Sequence, residues 1–356
     1  MRPEPRPDLE DLPPYRSSET AGGRIFLHAN ENPYPLPREI TDELLEAAAA
    51  LELNRYPSDP HELRAELATY AGVDPSWVWL GDGSNEVLLQ ACLAFGGPGR
   101  TALVFEPTYV MHHRQARMAG TDVAVARRRP DFSIDVDDAL RTIERVAPHV
   151  VFVCSPNNPT GTLTSSEDVR RIADAAPGLV LVDEAYFEFS GVTLVPYLTE
   201  HPNVVVVRTL SKAFRLAGVR LGYGIASPDV LAWMQRVRMP YAQSAFTLLA
   251  ATIVLRHREK ILQRVEGIIT ERDRVSGRLA GLGGVDVFDG AANFVFFRHA
   301  RAGDLVSGLA ARGIVIRDFG HLEGCENCLR VTAGTPEEND AFLEATAALL
   351  SSTAYP

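Results

Sequence analysis

Lysine is nearly absent from this chain. Of its 35 basic residues only Lys212 and Lys260 are lysine, and every other is arginine. Other shortages narrow the possibilities further. Four cysteines in 356 residues do not make a disulfide framework. No apolar run reaches transmembrane length, and Met1-Arg-Pro-Glu-Pro-Arg-Pro-Asp8 lacks the apolar core of a signal peptide, so the expected location is the cytoplasm, with no membrane partner. Net charge is −11 and the one basic run is Arg127-Arg128-Arg129, expected to be a solvated stretch before Pro130; nucleic acid is not an expected partner. No G-x-G-x-x-G follows an early strand, which excludes a nicotinamide-binding Rossmann unit. Internal repeats and low-complexity segments are also missing. Cys325-Glu-Asn-Cys328 stands alone, without a second cysteine pair to complete a zinc site, and it runs into a strand where redox pairs open a helix; no metal site is expected.

What is present is ordinary globular composition, 46% hydrophobic and 23% charged, at a length that suggests two domains. Around one stretch the rest is arranged. Val204-Val-Val-Val207 reads as a strand buried on both faces, as in the middle of a parallel sheet. It ends at Thr209, and Ser211-Lys212 follows in a polar turn, at the sheet edge where α/β proteins bind ligands. Arginine stays protonated, whereas an amine can lose its proton and attack a carbonyl. In a chain that otherwise chooses arginine, a lysine there points to chemistry.

In chain order, residues 1–36 read as an irregular arm carrying Tyr15 and the polar loop Leu27-His-Ala-Asn30-Glu-Asn-Pro-Tyr34. A helix is expected over residues 37–51. After Arg55-Tyr56-Pro57, another opens at Asp59-Pro60 and stops at Gly72. Trp77–Leu80 reads as a strand, Gly81-Asp-Gly83-Ser84-Asn85-Glu86 as a glycine-rich turn, and Val87–Phe95 as the helix it opens; backbone N–H groups at such a start suit a phosphate. Strands follow at 101–105, 150–154 and 179–182. They deliver Glu106-Pro-Thr-Tyr109, Ser155-Pro-Asn-Asn158-Pro-Thr-Gly161 and Asp183-Glu-Ala-Tyr186, and Thr164 with Glu167 is expected to cap the intervening helix. Asn158, Asp183 and Lys212 recur at intervals of 25 and 29 residues, each near the length of one βαβ unit, so right-handed crossovers gather them at one rim. Ser227-Pro228 caps a helix reaching 237. Residues 245–282 read as one long helix bridging two domains. Strands at 285–288, 293–297, 313–317 and 329–332, with helices at 303–312 and 336–351, make a smaller α+β domain. The expected division is an arm (1–36) packing with the small domain, a large domain (37–244), and an interdomain helix with a small domain (245–356).

The rim holds an amine, a carboxylate, an amide, a phenol, a phosphate-ready turn and Arg220. Pyridoxal phosphate needs all of these: an amine for its aldehyde, an acid for its ring nitrogen, donors for its 3-oxygen, and N–H groups with an arginine for its phosphate.

Several segments then resemble the fold type I aminotransferases: Ser155-Pro-Asn-Asn-Pro-Thr-Gly161, Asp183-Glu-Ala-Tyr186, and Ser211-Lys-Ala-Phe214 with Gly218–Arg220. Asn30-Glu-Asn-Pro-Tyr34, Arg55-Tyr-Pro57, Gly81–Glu86, Ala292-Asn-Phe-Val295 and Leu329-Arg-Val-Thr-Ala-Gly-Thr-Pro-Glu-Glu-Asn339 narrow the resemblance to the histidinol-phosphate aminotransferase family. The resemblance spans nearly the whole chain. It implies an α/β fold with a mostly parallel central sheet in a large domain that binds pyridoxal 5'-phosphate, and a smaller α+β domain. It implies transfer of the amino group of histidinol phosphate to 2-oxoglutarate.

Residue roles follow from the same resemblance. Lys212 would hold the cofactor covalently and later shuttle a proton. Asp183 would pair with the ring nitrogen, Asn158 and Tyr186 with the 3-oxygen, and Tyr109 would stack on the ring. Gly83, Ser84, Asn85, Ser211 and Arg220, assisted by Thr209, would bind the phosphate. Tyr56 would reach the phosphate of a neighbouring subunit, making a homodimer with shared sites. Arg330, with Arg317, Tyr15 and Asn30, would take the substrate. Asn85 stands where the family often has aspartate, and His28 where it often has asparagine. An aromatic amino-acid aminotransferase and a threonine-phosphate decarboxylase share this scaffold and remain alternatives. A regulator built on the same scaffold would need a DNA-binding domain that the short acidic arm does not supply.

Overall fold

The computed structural model describes residues 24–351 together with Glu4, Arg6, Pro7–Leu9, Leu12 and Pro14. Its centre is a seven-stranded sheet in the order Val78–Asp82, Leu221–Ile225, Val204–Thr209, Leu179–Asp183, Val150–Cys154, Thr101–Glu106 and Asp122–Arg127. All pairings are parallel except those of Leu221–Ile225, which runs antiparallel to both its neighbours. The valine run is explained by the pleat. Val204 and Val206 belong to one core, and Val205 and Val207 to the other, on the opposite face. Each buried side chain of this size contributes about 1.5–3 kcal/mol. A strand with helices on both faces must therefore be apolar throughout, which is why it is legible as a run and not as an alternation.

The antiparallel strand Leu-Gly-Tyr-Gly-Ile was not expected; two glycines in five residues weaken the strand signal. The glycines have packing reasons. A Cβ at Gly222 would lie 2.1 Å from the Ser84 nitrogen, so only glycine lets this strand run against the start of the helix Gly83–Phe95. The glycine-rich turn is also shorter than expected: the preceding strand extends to Asp82 and the helix begins at Gly83. The helix Val110–Met118 and the edge strand Asp122–Arg127 were likewise not foreseen; the strand's half-exposed pattern and alanines carry little β signal. Arg128 is not solvated as expected. It is 8% exposed, and it donates to the carbonyls of Phe105 and Phe132, both at 3.0 Å. The cap before Ser166–Ala175 is Ser165, which accepts from the Asp168 N–H, in place of Thr164 with Glu167.

Residues 245–282 are three helices, not one: Ala245–Arg256, Arg258–Leu262 and Val265–Ala280. The first packs on Arg38–Ala48 and His61–Ala71; the last packs on Asp286–Phe288, Phe294–Arg298 and Pro336–Ser351, and also on Phe187–Ser190. The breaks separate helices with different packing partners, which local helical periodicity does not register. The second sheet is antiparallel, in the order Arg317–Asp318, Cys328–Thr332, Phe294–Arg298, Asp286–Phe288. The expected strand 313–317 divides. Ile314–Val315 pairs in parallel with Ile25–Phe26 of the N-terminal segment, and the chain changes sheets at the buried Ile316. Thr335 and Glu338 form a capping box at the start of Pro336–Ser351, each accepting from the other's backbone N–H. Among the described residues, no helix is long and apolar enough to cross a membrane.

One buried ion pair braces the sheet beneath the rim. Arg208 and Glu184 meet at 2.9 Å with exposures of 2% and 1%, and the guanidinium lies 3.4 Å over the Phe187 ring. The second carboxylate oxygen accepts from the Leu194 N–H at 2.7 Å. Arg208→Met strands that carboxylate in the core. The expected loss is about 3–5 kcal/mol, read as a lower midpoint in urea unfolding; a loss under about 1 kcal/mol, typical of an exposed pair, would contradict it.

Candidate active site

Four strand ends and one helix start surround a cavity of about 270 Å³, with Ser84, Asn85, Tyr109, Asn158, Asp183, Tyr186, Thr209, Ser211, Lys212 and Arg220 on its wall. Ten residues singled out from the sequence are thus brought together. Glu31, Cys154, Ala185 and Ala217 complete the lining.

Lys212 leaves the end of its strand and donates to the Ala29 carbonyl at 2.9 Å. Burial lowers its pKa to about 8, with the positive charges of Arg330 and Arg220 adding to the fall and Glu31 and Asp183 opposing it. An amine that loses its proton this easily suits nucleophilic work. Asp183, 3% exposed, ends the neighbouring strand on the face that packs against Val110–Met118. Its Oδ2 lies 3.0 Å from His112 Nε2, and its Oδ1 accepts from the Ala185 N–H at 3.1 Å. His112 is wholly buried and stacks on Phe152. Behind it stands Thr108, whose hydroxyl donates to Asn157 at 2.9 Å. The sequence reading missed His112. The available signal was its spacing, one helical turn beyond Tyr109, but the helix itself had not been foreseen.

The donor cluster sits at the start of Gly83–Phe95. Gly83 has φ +72°, and a Cβ there would lie 2.5 Å from an Arg220 guanidinium nitrogen. Its N–H donates to the Arg220 carbonyl at 3.1 Å. Arg220 Nη1 reaches the Ser211 hydroxyl at 3.4 Å, and Thr209 donates to the same hydroxyl at 2.9 Å. The free N–H groups of a helix start, two hydroxyls and a guanidinium make an anion cradle.

Across the cavity, Tyr186 accepts hydrogen bonds from Asn30 at 2.9 Å and Asn158 at 3.4 Å. Burial pushes its phenol well above the usual tyrosine range. Arg330, 5% exposed, donates to Asn158 Oδ1 at 2.5 Å and to the His28 carbonyl at 2.6 Å. Arg317 stands directly opposite Arg330 in the antiparallel pairing. Tyr56 lies away from the cavity. It is 76% exposed and stacks on Tyr241 with ring centres 4.2 Å apart. Tyr15 lies outside the described residues. The two cysteines of the CxxC are thiols buried among Phe132, Phe288, Phe296 and Phe319.

The donor set fits pyridoxal 5'-phosphate: a low-pKa amine, a buried carboxylate and an anion cradle share one wall. Fold and cavity together define the class, and the chain belongs to the class I and II aminotransferase family, whose model matches residues 24–345. Within that class it is 45% identical over 335 residues to the histidinol-phosphate aminotransferase of Corynebacterium efficiens, covering 91% of this chain and 89% of the relative. It is 43% identical over 384 residues to that of Mycobacterium avium, covering 100% and 93%. The crystal structure of histidinol-phosphate aminotransferase from Sinorhizobium meliloti in complex with pyridoxal-5'-phosphate superposes with a TM-score of 0.87 at 24% identity, over 98% of each chain, a likeness of fold.

Proposed function

We propose that this chain is an aminotransferase of histidine biosynthesis. It moves the amino group of L-histidinol phosphate to 2-oxoglutarate, with pyridoxal 5'-phosphate as cofactor, and yields imidazole-acetol phosphate and glutamate. The observation that carries the reading is the meeting of Lys212, Asp183 and the Ser84–Ser211–Arg220 cradle on one cavity wall. When bound, the cofactor supplies an aldehyde that joins amines and a cationic ring that accepts electrons from the substrate's C–H bond.

The chain's own residues do the rest. Lys212 would hold the cofactor through its Nζ, and the same Nζ, as a neutral amine, would take the proton from the substrate carbon and return it. Asp183 would keep the ring nitrogen protonated, and His112 fixes the orientation of its carboxylate. Asn158 and Tyr186 would hold the ring oxygen, and Tyr109, on the same cavity wall, would stack on the ring. Gly83, Ser84, Asn85, Thr209, Ser211 and Arg220 hold the phosphate. Arg330, assisted by Arg317, takes the acidic end of each substrate in turn, since a guanidinium fork binds phosphate and carboxylate alike. Asn30 braces Tyr186, and Tyr15 is assigned to the same substrate set. Tyr56, exposed beside Tyr241, completes the phosphate site of a second copy, making a homodimer with shared sites. The setting is the cytoplasm.

A glutamate-release assay with histidinol phosphate, phenylalanine and tyrosine as competing donors tests the reading. Histidinol phosphate is expected to win. A strong preference for phenylalanine would overturn the substrate while leaving the chemistry in place.

A further inference from the structure

The loop at residues 28–32 is held with unusual care for an irregular segment. Asn30 has φ +54°, a left-handed conformation that asparagine tolerates better than most residues. Its N–H donates to Thr332 Oγ1 at 3.0 Å, its side chain to Tyr186 at 2.9 Å, and its carbonyl accepts from Asn293 at 3.1 Å. Two residues on, Asn32 donates to the Ala213 carbonyl at 3.2 Å. Both neighbours of Glu31 are therefore pinned, to three separate parts of the fold. Glu31 itself has no hydrogen-bond or ion-pair partner among the described residues, and it lines the cavity.

Among the described residues, a carboxylate in that place is the cavity's one uncommitted anionic acceptor. Asp183 is engaged by His112 and the Ala185 N–H. The hydroxyls of Thr209 and Ser211 are engaged with each other and with Arg220. Asn158 Oδ1 accepts from Arg330. The remaining charged groups near the cavity, Lys212, Arg220 and Arg330, can only donate while protonated. Against this lining, a donor whose acidic end goes to arginine and whose amine goes to the cofactor has one group left to recognise, its ring. A neutral imidazole offers one N–H and an imidazolium two; a phenyl ring offers none.

We propose that Glu31 is a specificity residue that accepts a hydrogen bond from the imidazole ring of the donor. The proposal deepens the reading above and rests on it. Glu31 is exposed at the cavity mouth, the bonds of Asn30 and Asn32 fix the backbone that carries it, and an acceptor there discriminates against an analogue that lacks the N–H.

The test compares two donors that share the amine and the phosphate and differ only in the ring: histidinol phosphate and 2-amino-3-phenylpropyl phosphate. The readout is the ratio of their kcat/KM values in glutamate release by the cofactor-loaded protein. Glu31→Ala is expected to lower the imidazole-to-phenyl ratio about 10- to 100-fold, the range of a hydrogen bond to a charged group. Glu31→Gln retains an acceptor oxygen and is expected to lower it less, and it serves as the second variant should alanine disturb the loop. An unchanged ratio overturns the proposal. So does an equal fall for both donors, which would mean that Glu31 acts only on the charge of Lys212. Failure of the unmodified protein to use histidinol phosphate at all would instead remove the reading beneath it.

Discussion

Lys212→Ala stops transamination, with kcat falling at least about 10⁴-fold, because one side chain supplies both the anchor and the proton shuttle. Lys212→Arg is the informative companion. It keeps the positive charge and most of the volume, but a guanidinium does not give up its proton, so it is expected to be as inactive as alanine. Activity surviving in either variant would remove the lysine from the mechanism. Wild-type-like circular dichroism in both would confirm that the loss is chemical.

The same amine carries a pH signature. Burial holds it at about 8, well under the ordinary lysine value. A lowered lysine pKa leaves the reactive neutral form populated above about pH 8 and protonated below. Covalent capture of added pyridoxal phosphate by the apoprotein should therefore speed up with pH and level off above that point. A rate still climbing toward pH 10 would mean the lysine is solvated.

Asp183→Asn is expected to be the second severe lesion, with kcat falling about 10²- to 10³-fold, the scale for removing one preorganised charge that acts in the transition state. Asparagine is nearly isosteric and can still bond His112, so the fold should be untouched. What it loses is the charge that keeps a ring nitrogen protonated. The fall should appear in kcat more than in the KM of the donor, since Asp183 does not contact the donor in this scheme. A fall confined to KM would reassign Asp183 to binding.

Much of this architecture was legible in the chain because of where α/β proteins put their chemistry. Strands buried on both faces announce themselves as valine runs, and a run such as 204–207 tells the reader where it ends. The polar groups just past those ends, Asn158, Asp183 and Lys212, share one rim for topological reasons, so spacing alone suggested their meeting. Other features had no local signature. His112 reaches Asp183 from a helix whose sequence carries little periodic apolar signal. Leu221–Ile225 is built around glycines that look like a turn until Ser84 is seen against them. The segment 245–282 has a continuous helical pattern, yet it is three helices with different packing partners. Glu31 was visible only as part of a motif. That its neighbours are bonded and it is not, among the described residues, is a fact of tertiary structure.

The central claim is a covalent one, and the scarcity of lysine makes it easy to test. The protein, loaded with pyridoxal phosphate and reduced with borohydride, should carry a single cofactor mass on the peptide containing Lys212 and none on the peptide containing Lys260. An adduct on Lys260, or no adduct at all in folded protein with saturating cofactor, would contradict the account.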